Sequence, residues 1–215
     1  MRWLKRWFSA FAPAPLTPQL QARIKASFEQ SAGDEERFPS AIDPRIYHVR
    51  LILDQLAALD PASVLDAGCG KGRFARLVRE RYPRASVVGM DISEAMLRHV
   101  PPGVLRCSAT LTSLPFPDDF FDAVYATESL EHAVDIDRAV AELCRVTRTG
   151  GRIIIIDKNA EHWGKLKTPE WERWFGRREL ERMLGRWCGR VESRFISYWE
   201  DVEPDGMFLA WLAEK

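Results

Sequence analysis

The sequence carries no surplus of either charge: 31 Lys and Arg stand against 31 Asp and Glu in 215 residues. A nucleic-acid binder needs a basic face or stripe, so no nucleic-acid partner is expected. Cysteine is scarce, with only Cys69, Cys107, Cys144 and Cys188. They form no CxxC pair and no zinc spacing, which excludes a disulfide scaffold or a structural zinc module as the organising principle. No secretory leader pattern is present, so the thiols are expected reduced and the protein cytoplasmic. Apolar runs of the roughly 20 residues needed to span a bilayer are missing. Repeats and low-complexity tracts are missing as well. What remains is a chain that is 46% hydrophobic, enough for a full core, with eight tryptophans, most of them beyond residue 160.

The first eleven residues are basic and aromatic. On a helix, Trp3, Leu4, Trp7, Phe8 and Phe11 share one face, with Arg2, Lys5 and Arg6 towards the other. That pattern fits either peripheral contact with an anionic membrane or packing against the chain's own domain. Three prolines, Pro13, Pro15 and Pro18, then break the segment. Residues 19–30 read as a polar helix, 31–44 as a loop, and 46–59 as an amphipathic helix on Ile46, Val49, Ile52 and Leu56. The expected organisation is an N-terminal helical extension over 1–45 and one catalytic domain over 46–215.

From residue 63 onward short apolar strands alternate with helical patterns. Strands are expected at 63–67, 86–90, 104–107, 123–126 and 153–156, and helices at 73–81, 94–99 and 138–146. Nearly all-apolar strands separated by helices predict a parallel sheet covered on both faces. Right-handed crossovers make it a doubly wound α/β sheet with ligands at the carboxyl ends of the strands. Thr168-Pro169-Glu170 reads as a helix start carrying Trp171, Trp174 and Phe175, followed by a second helix over 177–184. Residues 191–198 and 207–212 predict a closing antiparallel hairpin. The whole is expected to be a Rossmann-like sheet of seven strands, mostly parallel, with that hairpin at its C-terminal end.

The chemistry centres on Val64-Leu65-Asp66-Ala67-Gly68-Cys69-Gly70-Lys71-Gly72. A strand leads into a tight turn with glycines at alternate positions, where the backbone can approach a ligand closely. A phosphate loop would need GxxxxGK followed by Ser or Thr, and Lys71 is followed by Gly72. A dinucleotide fingerprint would need its third glycine one residue later and an apolar residue in place of Asp66. Further along, Asp91 closes the second strand, where a carboxylate can accept both ribose hydroxyl hydrogens.

Val-Leu-Asp-Ala-Gly-Cys-Gly-Lys-Gly resembles the first motif of class I S-adenosylmethionine (SAM)-dependent methyltransferases, the methyltransferase type 11 family in particular. Leu114-Pro115-Phe116-Pro117-Asp118 resembles the family's approach to its fourth strand, and Thr127-Glu128-Ser129-Leu130-Glu131-His132 its post-strand loop facing the methyl donor. Leu143-Cys144-Arg145-Val146 through Gly150-Gly151-Arg152-Ile153 resembles the helix, turn and fifth strand. The resemblance covers residues 46–157 in order. It implies a SAM site, with S-adenosylhomocysteine as product, formed by Asp66, Ala67, Gly68, Gly70, Asp91, Ile92, Thr110, Leu111, Thr127 and Glu128. In that arrangement Ile92 lies along the adenine. Many relatives carry Asp where this chain has Thr110, a weaker acceptor for the adenine amino group.

Methyl transfer is an in-line displacement for which the protein aligns the acceptor and, for a hydroxyl, removes its proton. His132 and Glu131 are the candidate catalytic residues, His132 as the base, since a histidine on the loop beyond the fourth strand can titrate near neutrality. The alternative is that His132 packs the loop. Glu128-x-x-Glu131-His132, completed by His162, is compatible with a divalent metal, but hard ligands at that spacing are not diagnostic and no metal is assigned. Aromatics of 163–174 are expected to cover the cleft. His48 and His99 read as surface or packing residues. The expected reaction is methylation of a small-molecule or lipid-like acceptor, at oxygen in the first instance. N- or C-methylation and a non-catalytic SAM-binding partner subunit are the alternatives.

Overall fold

The structure is a computed structural model and describes residues 15–215. The aromatic-basic segment 1–11 and its membrane reading lie outside those residues. Seven strands form one sheet: β1 (Ser63–Ala67), β2 (Ser86–Asp91), β3 (Leu105–Ser108), β4 (Phe121–Thr127), β5 (Thr147–Lys158), β6 (Arg190–Ile196) and β7 (Phe208–Glu214). Their order is β3-β2-β1-β4-β5-β7-β6. Neighbours from β3 to β5 run parallel, and β7 enters antiparallel between β5 and β6. The doubly wound sheet and its closing hairpin are as the alternating pattern predicts.

Both sheet faces are buried because adjacent strand residues point to opposite sides. Leu65, Val124, Ala126, Ile153 and Ile155 pack with α5 (Ile136–Val146) and α6 (Arg177–Leu184). Val64, Val87, Ala123, Tyr125, Ile154 and Ile156 pack with α2 (Tyr47–Ala57) and α3 (Arg73–Arg81). This explains why Ile153-Ile154-Ile155-Ile156 reads as an unbroken apolar run: no position in it meets water.

Helix starts follow local chemistry. α1 (Pro18–Ser31) opens with proline at its first position, and the Thr17 hydroxyl accepts from the Leu20 N–H at 3.1 Å. Ser93 caps α4 (Glu94–Leu97) by accepting from the Met96 N–H, and Asp135 caps α5 by accepting from the Arg138 N–H. α1 packs on α4, where the Glu29 carboxylate accepts from the Glu94 and Ala95 N–H groups at 2.7 and 3.1 Å. The N-terminal helix is thereby docked on the end of the sheet that carries the glycine turn.

One expected element does not form. Residues 168–175 are a turn and an extended piece, not a helix. Their backbone groups find distant partners: the Arg173 N–H donates to the Glu131 carbonyl at 2.9 Å, and Phe175 bridges Asn159. Trp174 and Phe175 are buried, and the Trp174 indole donates to Glu172 at 3.0 Å. Tertiary pairing has outcompeted a sound local helix-start signal. No helix among the described residues is long and apolar enough to cross a membrane.

Candidate active site

A cavity of ≈ 460 Å³ opens at the carboxyl ends of β1, β2 and β4. The turn after β1 is tied down by its neighbour: the Gly68 and Cys69 N–H groups both donate to the Met90 carbonyl at 2.8 and 2.9 Å. Gly68, Gly70 and Gly72 all have positive φ, at 81°, 54° and 77°. Their roles differ. A Cβ on Gly68 would lie 2.4 Å from the Ser129 Cβ, so this glycine admits the loop after β4. A Cβ on Gly70 would meet nothing within 4 Å, so this glycine leaves open space at the cavity wall.

Asp91 organises the same corner. One carboxylate oxygen accepts from the Gly70 N–H and the other from the Ser93 N–H, each at 2.8 Å. A carboxylate offers about four lone-pair sites, so acceptor capacity is left facing the cavity, which Asp91 and Ile92 both line. Asp66 is 2% exposed, lines the cavity, and has an oxygen with no partner. Burial raises its pKa to about 7, with Tyr125 pulling the other way and the charge of Asp91 adding to the rise. The Thr127 hydroxyl is a second buried, unpartnered polar group on the cavity wall.

Thr110 and Leu111 line the cavity, and the Thr110 hydroxyl lies 3.1 Å from that of Thr112. Glu128 also lines it, held in the left-handed region at φ 50°, a conformation rare outside glycine. Arg73 lies 3.6 Å from its carboxylate and Tyr198 donates to it at 3.4 Å. Ala67 is the exception among the sequence-named cofactor residues. It is fully buried and off the cavity wall, and its carbonyl accepts from the Ser129 hydroxyl at 2.8 Å.

Beyond β4, Glu131 and His132 also reach the cavity. Glu131 is 1% exposed, its carboxylate is paired with the Lys158 ammonium, and its backbone N–H donates to Asp157. Burial, together with Asp157, raises the Glu131 carboxyl well above the usual carboxylate range. His132 sits between two carboxylates, with Nε2 3.6 Å from Glu131 and Nδ1 3.8 Å from Glu172. Burial lowers its pKa to about 3, and the Lys158 and Arg37 charges add to that. The imidazole is therefore neutral at physiological pH. Phe28 of α1 packs edge-on to it at 5.0 Å.

Glu172 is a residue that sequence reasoning does not single out. It becomes a site residue only because residues 168–175 fold back over β4's loop. His162 does not join the expected cluster. Glu131, His132 and Glu172 gather within 4.8 Å instead, while the side chain of His162 lies near Gly206 and Lys165. Because Lys158 already supplies a cation to Glu131, this cluster does not call for a metal. Lys71 also differs from a phosphate-binding lysine. Its side chain is 1% exposed and its ammonium donates to Glu35 at 2.6 Å, clamping the loop that follows α1. Leu166, Lys167, Thr168, Pro169 and Trp171 line the cavity, as expected of a covering segment, whereas Trp163 stacks edge-on against Trp174.

Residues 65–155 match the profile of the methyltransferase domain family. A malonyl-[acyl-carrier protein] O-methyltransferase from Dechloromonas aromatica (strain RCB) is 33% identical over 147 residues, 68% of this chain and 55% of that protein. The chain belongs to the class I SAM-dependent methyltransferases. A demethylmenaquinone methyltransferase from Thermus thermophilus is 35% identical over 106 residues, 45% of this chain and 47% of that one. The chain spans about half the length of the curated relatives it matches. Among solved structures, the geranyl diphosphate C-methyltransferase of Streptomyces coelicolor A3(2), in complex with Mg2+, geranyl diphosphate and S-adenosyl-L-homocysteine, superposes with a TM-score of 0.67 at 18% identity, covering 94% of this chain and 99% of that one. The [4+2]-cyclase SpnF superposes with a TM-score of 0.73 at 17% identity, covering 94% and 98%. These two likenesses concern the fold.

The methyltransferase cofactor fits what the cavity offers. Gly70 leaves room for close approach, and the orphan Asp66 oxygen is a buried acceptor suited to a cationic group.

Proposed function

We propose that this chain transfers the methyl group of SAM to an oxygen of a small-molecule or lipid-like acceptor. The observation that carries the reading is one cavity shared by the glycine turn, Asp66 and Asp91 on one part of its wall and His132, Glu172 and Trp171 on another. SAM brings an already activated methyl group, so the chain's own work is to hold, align and exclude water. Asp66, Gly68, Gly70, Asp91, Ile92, Thr110, Leu111, Thr127 and Glu128 serve the cofactor, with Ala67 supporting the turn through Ser129. His132, backed by Glu131 and Lys158, presents a neutral imidazole to the acceptor oxygen. In this organisation 46–215 is the catalytic domain, and 1–45 adds α1 as part of the acceptor wall.

Oxygen as the target is supported by relatives named as O-methyltransferases, the malonyl-[acyl-carrier protein] enzymes among them. The aromatic and basic composition of residues 1–11 gives a lipid-like acceptor and peripheral membrane contact a place in the same reading. Calorimetry with S-adenosylhomocysteine tests it first: saturable one-to-one binding is expected, and no binding at millimolar ligand overturns it. Incubation with methyl-labelled SAM and a metabolite extract then separates an enzyme, which labels the small-molecule fraction, from a non-catalytic SAM-binding subunit, which does not.

A further inference from the structure

We propose that Cys144 and Cys188 are a peroxide-responsive thiol pair, which closes into a disulfide that fastens α5 to the chain leaving α6. Neither sulfur lies on the cavity wall, so the pair is a second site, independent of which acceptor is methylated.

Geometry carries the proposal. The four cysteines are scattered along the sequence, yet the fold brings two of them together. The Cys144 and Cys188 sulfurs lie 4.0 Å apart and share an S–H···S hydrogen bond. Cys144 belongs to α5, and Cys188 to the short connection between α6 and β6. Bonded sulfurs stand about 2 Å apart, so closure needs a further approach of about 2 Å. Because Cys188 lies outside both flanking elements, that approach neither unwinds α5 nor unpairs β6. The two sulfurs also differ in access. Cys144 is 0% exposed and Cys188 8%, and the neighbours of Cys188, Trp187 and Gly189, are both exposed. A small peroxide therefore meets Cys188 first.

Reactivity follows the same order. Accepting from the Cys144 S–H pulls the Cys188 thiol below its ordinary range, against burial and with help from the Lys215 charge. The same bond, together with burial, pushes the Cys144 thiol up. The thiolate is the nucleophile, so the sulfur within reach is also the one that ionises more readily. Its attack on one peroxide oxygen breaks the O–O bond, and the departing hydroxide takes the thiol proton as water. That leaves a sulfenic acid on Cys188. The Cys144 sulfur then attacks the Cys188 sulfur, the S–O bond breaks, and the Cys144 proton leaves with the hydroxyl as a second water. Two electrons pass from the sulfurs to the peroxide. Two thiols and one hydrogen peroxide become one disulfide and two waters, and a dithiol reverses the step by exchange.

The bridge has a structural consequence. It closes residues 144–188 into a loop that holds β5, the 168–175 segment and α6. Constraining that stretch in the unfolded chain favours the folded one. α5 follows the loop that carries Glu131 and His132, and α6 follows the segment that carries Glu172. The oxidised chain therefore holds together the two helices that lead away from this part of the cavity wall.

The test treats the full chain, reduced and freed of reductant, with a slight excess of hydrogen peroxide and maps its unreduced peptides by mass spectrometry. A linked peptide pair joining Cys144 to Cys188 is expected, lighter by two hydrogens. Tm should rise by at least about 4 °C on oxidation and return to its starting value with dithiothreitol. In Cys188→Ala, Cys144 should stay a free thiol under the same treatment. In Cys144→Ala, Cys188 should accumulate as a sulfenic acid that dimedone traps. These two variants answer separately, so one that fails to fold leaves the other to decide. Three results would overturn the proposal: both sulfurs unmodified in the folded parent, Cys188 driven to sulfinic acid with no linked pair, or a linked pair that leaves Tm unchanged.

Discussion

Gly68 and Gly70 belong to one motif yet answer to different constraints. Valine at 68 would drive a Cβ into Ser129, adding overpacking of about 1–3 kcal/mol to the roughly 1 kcal/mol of a positive-φ side chain. Valine at 70 meets only the second cost, because its side chain enters open cavity. Gly68→Val should therefore lose several degrees of Tm, at about 2–4 °C per kcal/mol for a chain of this size, and lose ligand along with its fold. Gly70→Val should lose S-adenosylhomocysteine binding while melting close to the parent. Thermal unfolding and calorimetry on the two variants check this.

Asp66 is the other residue whose surroundings set its behaviour. Its folded pKa of about 7 lies above the ordinary 3.8, so protonated Asp66 is the favoured form of the empty site in acid. A cationic ligand group is drawn to the ionised form. Affinity for S-adenosylhomocysteine should then fall as pH drops below about 7, approaching tenfold per pH unit, and Asp66→Asn should bind weakly with a flat profile. The sign for stability is the reverse: this group favours the empty fold below pH 3.8 and withdraws that contribution as pH rises through 7.

At the scale of elements, the cavity is a joint product of the sheet's carboxyl edge and two segments laid across it. The loop after α1 is fastened by the Glu35–Lys71 pair, which also lowers the Glu35 carboxyl to about 2. Lys71 is buried while Glu35 is solvent-facing, so removing the acid leaves an ammonium without its charge partner. Glu35→Ala should speed proteolysis within residues 32–45 and weaken S-adenosylhomocysteine binding several-fold, with the sheet's amide protection unchanged. Limited proteolysis and hydrogen exchange check both halves. The 168–175 segment shows the same logic from the other side: its Thr-Pro-Glu start is a legitimate helix signal, but Arg173 bonds to Glu131 in the loop after β4 and Phe175 pairs with Asn159 just past β5.

At the scale of the whole molecule, the hairpin strands bring distant groups together. His48 of α2 is fully buried between Tyr198 and Phe208, whose ring centroids lie 4.7 and 5.2 Å away, and both its ring nitrogens lack partners. Burial lowers its pKa from 6.5 to about 4. Its unfolded form therefore takes up a proton that the folded form refuses, and stability is lost as pH falls from 6.5 towards 4. His48→Phe should be more stable than the parent by about 2 kcal/mol at pH 5 relative to their difference at pH 8, measured by urea unfolding at both.

The sequence by itself determined the alternation of strands and helices, the doubly wound sheet, the glycine turn and the placing of Asp91 beside it. These are local or period-2 and period-3.6 patterns, and burial on both faces of β1, β4 and β5 leaves them no other arrangement. Helix α3 and strand β1 start and stop where their residues say. Tertiary structure alone decided the cavity wall across from the glycine turn. Glu172 joins His132, Lys71 is taken up by Glu35, His162 drops out, and Ala67 supports the turn instead of lining the cavity. Each outcome depends on contacts between segments tens of residues apart, where charge pairing and desolvation override local propensity. A sequence pattern carries no record of which carboxylate will meet which cation once water is gone.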